Sequence, residues 1–87
     1  MSDHITIGSV SVFPNAECSR AQAIKVLEES AEVFEAVDSG KRSEIVSECA
    51  DVIQAVCNLL AGLGVYDLRT DMMLCEARNR ARGRYGR

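Results

Sequence analysis

The chain is 87 residues long, carries a formal net charge of −3 and contains no tryptophan. This length allows one compact domain and no second one. A domain of this size buries only roughly 60–65% of its unfolded surface, so oligomerisation adds much to its stability. The acidic balance argues against binding to a nucleic acid polymer.

The charges are distributed unevenly along the chain. Eight of the thirteen acidic residues lie between Glu28 and Asp51, whereas five of the ten basic residues lie between Arg78 and Arg87. An acidic middle and a basic end in one small protein are what a site for a metal ion and a phosphate group requires.

The cysteines and the single histidine favour no zinc site. A zinc site needs clustered ligands, whereas the cysteines form no C-x-x-C pair and lie at apolar helical positions. We therefore predict buried, reduced thiols. No signal-peptide core and no apolar stretch long enough to span a membrane is recognised, so a cytoplasmic protein without membrane contact is expected. The residues concerned are Cys18, Cys49, Cys57, Cys75 and His4.

Residues 1–14 are predicted to form a short extended arm, and residues 15–87 an α-helical domain. In the arm, Ile5 and Ile7 alternate with polar residues, and Pro14 closes the segment. Such a segment can pair as an edge strand or pack on a partner subunit.

Three helices are predicted after the arm. Ser19 and Gln22 fit a capping box at the start of the first helix, and Gly40 follows its end. Ser43 is the expected cap of the second helix. In the third helix Leu68, Met72 and Cys75 are expected to face inward. The predicted bounds are about 19–38, 43–63 and 67–82.

Apolar residues form a broad stripe on each of the first two helices. On the first helix, three- and four-residue spacing separates Ile24, Leu27, Ala31 and Phe34. The short link after it forces an antiparallel hairpin. Two such helices cannot cover each other fully, and a short third helix closes only part of the gap. We therefore predict an all-α fold that completes a four-helix bundle by dimerisation, as a homodimer or a homotetramer.

Acidic side chains are paired on the same two helices. Glu29 and Glu32 lie about 60° apart on adjacent turns, and the spacing of Glu48 and Asp51 is the same. In an antiparallel hairpin the two pairs can converge, and four clustered carboxylates repel one another unless a cation lies among them. A cluster of oxygen ligands suits Mg²⁺ or Mn²⁺.

A solvated acidic helix face is the alternative to a metal site. Two observations favour the metal site. Glu32, Glu48 and Asp51 have no Lys or Arg four residues away on their own helices. The same pairing of carboxylates also recurs on two helices that are predicted to be neighbours.

These motifs resemble those of a known family. The pattern K-x-x-E-E-x-x-E from Lys25 to Glu32, followed by E-x-x-D from Glu48 to Asp51, resembles the signature of MazG-type, all-α nucleoside triphosphate pyrophosphohydrolases. The segment from Asn79 to Arg82 is similar to the N-x-x-K/R element on the phosphate side of that family's site, with Arg in place of the usual Lys. The resemblance covers about residues 20–83.

The resemblance implies Mg²⁺-dependent hydrolysis of a nucleotide between its α- and β-phosphates, which releases a monophosphate and pyrophosphate. It implies Glu29, Glu32, Glu48 and Asp51 as the metal ligands, with Glu28 as a catalytic helper. The implied phosphate-binding residues are Lys25, Arg78, Asn79 and Arg82.

Two other functions are compatible with the same residues. Phosphoribosyl-ATP pyrophosphohydrolase belongs to the same superfamily and shares the E-E-x-x-E and E-x-x-D layout. A non-catalytic helical module whose acidic patch binds a basic partner is the second. Asn58, seven residues after Asp51 on the same face of its helix, is a candidate for contacting the ligand or a metal-bound water; a polar contact between helices is the alternative.

Overall fold

A computed structural model describes residues 3–86 and shows three α-helices and, within those residues, no strand. The bounds of the helices are Arg20–Ser39 for α1, Arg42–Gly62 for α2 and Arg69–Ala81 for α3. The predicted all-α class is therefore confirmed. The first two residues of the predicted arm lie outside the described residues, as does Arg87.

Both ends of α1 follow from local side-chain and backbone chemistry. The Oγ of Ser19 accepts a hydrogen bond of 3.1 Å from the backbone N–H of Gln22, as an N-cap residue does. At the other end Gly40 adopts a φ of 74°, and its N–H donates to the carbonyls of Ala36 and Val37. Glycine occupies this left-handed conformation without the steric penalty of a Cβ. The predicted position of α1 is correct to within about one residue.

The start of α2 differs from the prediction. The helix begins at Arg42 with Lys41 as its cap residue and no side-chain capping bond, so the prediction of Ser43 as the cap is wrong. The reason is the abrupt reversal at Gly40, after which the chain enters α2 almost at once. Glu44 in the first turn of α2 provides the negative charge that a helix N-terminus favours.

The helices α1 and α2 form the predicted antiparallel hairpin. Near its open end, Gln22 Nε2 donates to the Ala55 carbonyl at 3.0 Å. Near its closed end, the Oγ of Ser39 donates to Glu44 Oε2 at 3.1 Å. The Gln22 side chain is thus used between helices and does not complete the predicted capping box. Small side chains occupy the buried part of the hairpin, since its buried apolar residues are alanines at 36, 55 and 61.

The larger apolar side chains of the hairpin are left uncovered. Leu27 is 70% exposed and Phe34 69% exposed, so the stripe predicted on α1 forms no core within one chain. Helix α3 packs against neither α1 nor α2, and Met72 is exposed, so the expectation that it faces inward is wrong. The radius of gyration is 14.7 Å, against roughly 12 Å for a compact domain of this length.

Helix α3 begins at a compact ion pair. Asp67 Oδ1 accepts the backbone N–H of Arg69, and Asp67 Oδ2 lies 2.6 Å from the Arg69 guanidinium. These hydrogen bonds lower the pKa of Asp67 to about 2. The Asx-type turn places the first helical residue at Arg69, two positions later than predicted.

The N-terminal arm packs on α2 of its own chain. Gln54 Nε2 donates to the Ser11 carbonyl at 3.0 Å, and the Phe13 N–H donates to Asn58 Oδ1 at 3.1 Å. Further along, the backbone of Glu17 and Cys18 lies directly against Gly62, where a Cβ would collide with it. Residues 15–18 continue the arm, which turns at Pro14 and Asn15, where the Ala16 N–H donates to the Phe13 carbonyl. Within residues 3–18 the chain forms no edge strand.

All four cysteines have free thiols, as predicted, but the prediction of burial is wrong for two of them. Cys18 and Cys49 are exposed, whereas Cys57 and Cys75 are partly buried. Cys18 belongs to the arm, and Cys49 lies on a part of α2 that α1 does not cover.

By length and composition alone, α2 is long and apolar enough to cross a membrane, so the expectation that no stretch of the chain reaches that length is wrong. Its most apolar 18-residue window has a mean hydropathy of 1.4 and is 17% buried. Core helices of soluble proteins meet the same criteria, so this property by itself assigns no membrane contact.

Candidate metal centre and adjoining cavities

Three of the four predicted metal ligands meet where α1 and α2 face each other. Carboxylate oxygens of Glu29, Glu48 and Asp51 all lie within 4.8 Å of one another. Glu48 and Asp51 lie one turn apart on α2, and the antiparallel register brings Glu29 of α1 opposite them. We refer to these three side chains as the carboxylate triad.

The triad contains a buried acceptor that no group within residues 3–86 satisfies. Glu48 Oε2 is buried and accepts no hydrogen bond from that part of the chain. The side chain of Glu29 is only 13% exposed, and its single ion pair is with Lys25, whose Nζ lies 3.4 Å away. Burying a carboxylate without a partner is unfavourable, and a cation among these oxygens would remove that penalty. The donor set, oxygen only and anionic, fits a hard divalent ion.

Glu32 lies on the other side of Glu48. It does not belong to the triad, but it lines a second cavity of about 300 Å³ together with Glu48. Glu28 is exposed and lines neither this cavity nor the larger cavity that is described next. The remaining lining residues of the second cavity are Glu35, Ala36 and Glu44.

A larger cavity of about 380 Å³ opens on the opposite side, between the arm and the hairpin. Glu29 and Asp51 of the triad line it, and Lys25 lies beside them. The arm contributes Phe13, Asn15, Ala16 and Glu17, and the helices further contribute Ala21, Gln22, Gln54, Ala55 and Asn58.

The family to which the chain belongs follows from a comparison with protein-family models. The model described as phosphoribosyl-ATP pyrophosphohydrolase matches residues 11–79, most of the chain, from the arm to α3. The chain belongs to the phosphoribosyl-ATP pyrophosphohydrolase family. It is therefore a nucleotide pyrophosphohydrolase, an enzyme that hydrolyses phosphoric anhydrides. No curated protein and no solved structure was found to match it.

This family belongs to the MazG-like, all-α nucleoside triphosphate pyrophosphohydrolase superfamily. The resemblance read from the sequence is thus confirmed at the level of the superfamily. The family that matches is the alternative named within it, phosphoribosyl-ATP pyrophosphohydrolase, and not the MazG family itself. An enzyme family also argues against the non-catalytic binding module.

The phosphoribosyl-ATP pyrophosphohydrolase match ends at Asn79, and the predicted phosphate-binding residues of α3 lie apart from the triad. Arg78, Asn79 and Arg82 line neither cavity, because α3 packs against neither helix of the hairpin. Asn79 Oδ1 accepts a bond of 3.1 Å from Arg84, and Asn79 Nδ2 donates to the sulfur of Cys75. Of the four predicted phosphate contacts, only Lys25 stands beside the triad.

Asn58, the candidate for a ligand contact, is 3% exposed and holds the arm. Its Oδ1 accepts from the Phe13 N–H and from Gln54 Nε2, each at 3.1 Å, while the residue also lines the larger cavity. Sequence reasoning missed Gln54 and Phe13. Gln54 lies three residues after Asp51 and four before Asn58, so helical spacing places it on the same face. No sequence signal showed that the arm returns across α2.

Proposed function

We propose that Glu29, Glu48 and Asp51 hold Mg²⁺, for which Mn²⁺ can substitute, and that the site hydrolyses a nucleotide between its α- and β-phosphates. The products are a nucleoside monophosphate and pyrophosphate. The observation that carries the proposal is the unpartnered, buried Glu48 Oε2 inside a triad of carboxylates. An enzyme that acts on phosphoric anhydrides can use such a cluster to hold the divalent ion that neutralises phosphate charge.

A bound divalent ion neutralises phosphate charge and makes a coordinated water more acidic. The residues of the chain supply the rest. The triad fixes where the ion lies relative to the substrate, and Lys25 provides a cation for the phosphate oxygens. Glu32, next to Glu48 across the second cavity, is proposed as the fourth acidic member of the metal site. Glu28 remains a proposed catalytic helper, but it is exposed and lines neither cavity, so no role in proton transfer is assigned to it.

Phosphoribosyl-ATP is the substrate that we propose first, since the matched family carries that name. A nucleoside triphosphate is the second candidate, because the motifs from Lys25 to Glu32 and from Glu48 to Asp51 resemble those of MazG-type enzymes. Phosphoribosyl-ATP differs from ATP by its added phosphoribosyl group, whereas the anhydride bond that is broken, between the α- and β-phosphates, is the same in every candidate.

A substrate panel with pyrophosphate as the readout separates these candidates. The purified protein is incubated with phosphoribosyl-ATP, ATP and the canonical deoxynucleoside triphosphates, each with Mg²⁺ and with a chelator. We expect Mg²⁺-dependent pyrophosphate release with the highest kcat/KM for phosphoribosyl-ATP. A higher kcat/KM for a nucleoside triphosphate would contradict phosphoribosyl-ATP as the substrate, but it would agree with the proposed reaction. Phosphate release in place of pyrophosphate would contradict the reaction.

We also propose that two copies pack their uncovered hairpin faces together to form a four-helix bundle. The support is the exposure of large apolar side chains on α1, of which Leu27 and Phe34 are the largest examples. In such a bundle α3 of one copy can bring Arg78, Asn79 and Arg82 to the triad of the other. A homotetramer would pair two such dimers.

The proposed location is the cytoplasm, with no membrane and no nucleic acid polymer as a partner. Glu48 and Asp51 lie within α2, and an acidic side chain at the centre of a bilayer costs about 3 kcal/mol or more. Recovery of the protein in the soluble fraction after cell lysis is the expected result, and recovery with washed membranes would contradict it.

A further inference from the structure

The larger cavity runs from the carboxylate triad to the arm. Glu29 and Asp51 belong both to the triad and to the lining of the cavity, while Phe13 and Asn15 line the part that the arm contributes. A volume of about 380 Å³ lies within the range of small-molecule sites, roughly 300–1,000 Å³. The cavity therefore has room for the part of a substrate that extends beyond its phosphates.

The length of the cavity suits a nucleotide. Asp51 and Asn58 are seven residues apart on α2, which corresponds to about 10 Å along the helix axis. The backbone N–H of Phe13 donates a hydrogen bond to Asn58, so the arm crosses α2 about 10 Å along the helix from Asp51 of the triad. A nucleotide is built in the same order, with phosphates at one end, the sugar in the middle and a flat base at the other end.

The chemistry of the cavity changes between these two ends. Near the triad it is charged, whereas at the arm Phe13 remains 55% exposed although it is a large apolar side chain. Every nucleobase has a flat face that can stack on such a ring. Asn15 adds an amide that can donate to and accept from base edges. Alanines at positions 16, 21 and 55 also line the cavity, and their small side chains occupy little of it.

An occupant made of phosphate alone fits the lining poorly. Glu17, Glu29 and Asp51 bring three carboxylates to the cavity, against the single cation of Lys25. A neutral base and sugar meet no such repulsion, and the phosphates can remain at the triad with the metal ion.

A hydrogen-bond network fixes the position of Phe13. Asn58 is nearly fully buried, and its Oδ1 accepts from the Phe13 N–H and from Gln54 Nε2. Gln54 Nε2 also donates to the Ser11 carbonyl, so the arm is held at Phe13 and again two residues before it. The family match begins at residue 11 and therefore includes this part of the arm.

We propose that the larger cavity binds the nucleoside of the substrate, with Phe13 stacking on the base and Asn58 as the positioning residue that holds the Phe13 segment against α2. This inference rests on the proposed function and names the part of the site that recognises the base.

Binding of nucleoside monophosphates, which have no anhydride bond to hydrolyse, tests the inference without any turnover. Isothermal titration in the presence of Mg²⁺ compares AMP, GMP, CMP and UMP with ribose 5-phosphate, which lacks the base. The variants are Phe13→Ala, Phe13→Tyr and Val12→Ala; Val12 is the neighbouring arm residue, which does not line the cavity. Circular dichroism confirms that each variant is folded.

We expect the unmodified protein to bind at least one nucleoside monophosphate about tenfold or more tightly than ribose 5-phosphate. Phe13→Ala should remove most of this difference and leave the affinity for ribose 5-phosphate unchanged. Phe13→Tyr should retain the difference because its ring is kept, and Val12→Ala should behave as the unmodified protein does.

Two results would overturn the inference. The first is that no monophosphate binds more tightly than ribose 5-phosphate. The second is that Phe13→Ala weakens ribose 5-phosphate as much as the nucleotide, or has no more effect than Val12→Ala. A failure of the proposed function is a different result, because base-dependent binding would persist while pyrophosphate release was absent.

Discussion

Lys25 Nζ lies 3.4 Å from Glu29 Oε1, one turn further along α1, so a cation of the chain is already paired with a carboxylate of the triad. The Lys25 side chain is largely exposed, whereas that of Glu29 is mostly buried. A divalent ion at the triad would compete with Lys25 for Glu29. Lys25 would then lose its partner Glu29 and be available to the phosphate groups. It would pair with the negative phosphate charge that the ion does not neutralise.

Replacing Lys25 with methionine should therefore have opposite effects on metal binding and on catalysis. Affinity for Mn²⁺ should rise a few-fold, because a competing cation is removed. The rate of pyrophosphate release should fall by roughly tenfold to a hundredfold, because a positive charge near the phosphates is lost. Lys41→Met is the matched control, since Lys41 pairs with Glu44 at 3.7 Å in the turn between the helices. Equal activity of the two variants would contradict the role of Lys25.

Neutralising Glu32 or Asp51 tests the proposed acidic residues of the metal site, of which Asp51 belongs to the triad and Glu32 does not. The changes Glu32→Gln and Asp51→Asn remove charge but keep shape. Each should lower pyrophosphate release by roughly a hundredfold or more, equivalent to about 3 kcal/mol of transition-state stabilisation. Stability without metal should hold or rise, because repulsion among the carboxylates is relieved.

Steady-state kinetics and thermal unfolding with and without Mg²⁺ measure both effects. Glu76→Gln serves as the control, because Glu76 lies on α3 and pairs with Arg80 away from the hairpin. Full metal-dependent activity in both amide variants would contradict the proposed ligand set. A loss of stability without metal would instead indicate that these carboxylates are structural.

Gly62 allows the arm to approach α2, and Gly62→Ala should displace it. A Cβ at this position would collide with the backbone of Glu17 and Cys18, which cannot move aside as a flexible side chain would. The overpacking costs about 1–3 kcal/mol. Alanine improves helix propensity by at most about 1 kcal/mol, so destabilisation should prevail.

Hydrogen exchange of the Phe13 N–H reports on this displacement, because that group donates to Asn58. We expect faster exchange in Gly62→Ala. In Gly64→Ala the φ of 79° strains the turn, but the new Cβ meets no atom within 4 Å. The arm is therefore not displaced, and exchange at Phe13 should stay as it is. Unchanged protection in both variants would show that the arm does not depend on the close contact at Gly62.

Mixing two inactive variants tests whether α3 completes the site of a second copy. Glu48→Gln lacks a triad member, and the double change Arg78→Ala with Arg82→Ala lacks the basic residues of α3. Each should be inactive alone, and together they should regain about a quarter of the unmodified activity, since half the dimers are mixed and half of their sites are intact. Sedimentation checks the oligomeric state. A single species with the mass of one chain, or no recovery on mixing, would contradict the shared site.

The helices and the acidic pairs were predictable because they depend on local spacing. The Ser19 cap, the Gly40 turn and the antiparallel hairpin all follow from short-range rules that tertiary contacts did not override. Once the hairpin was predicted, the meeting of Glu29 with Glu48 and Asp51 followed from helical geometry.

The remaining features depend on long-range contacts that periodicity cannot encode. The path of the arm is set by Asn58 and Gln54, whose polar side chains gave no indication of a partner more than forty residues earlier in the sequence. The position of Glu32 beyond Glu48, outside the triad, depends on side-chain placement and not on spacing. The inward face predicted for α3 failed at Met72 because a short amphipathic helix does not specify which surface covers it.

Binding of Mn²⁺ followed by electron paramagnetic resonance tests the metal site most directly. The experiment compares the unmodified protein with Glu48→Gln and with the control Glu76→Gln, in the absence of nucleotide. Glu48 is chosen because its buried Oε2 has no hydrogen-bond partner among the described residues. We expect Glu48→Gln to weaken Mn²⁺ binding by about tenfold or more and Glu76→Gln to leave it unchanged. Equal Mn²⁺ affinity in all three proteins would contradict the assignment of the triad as the metal centre.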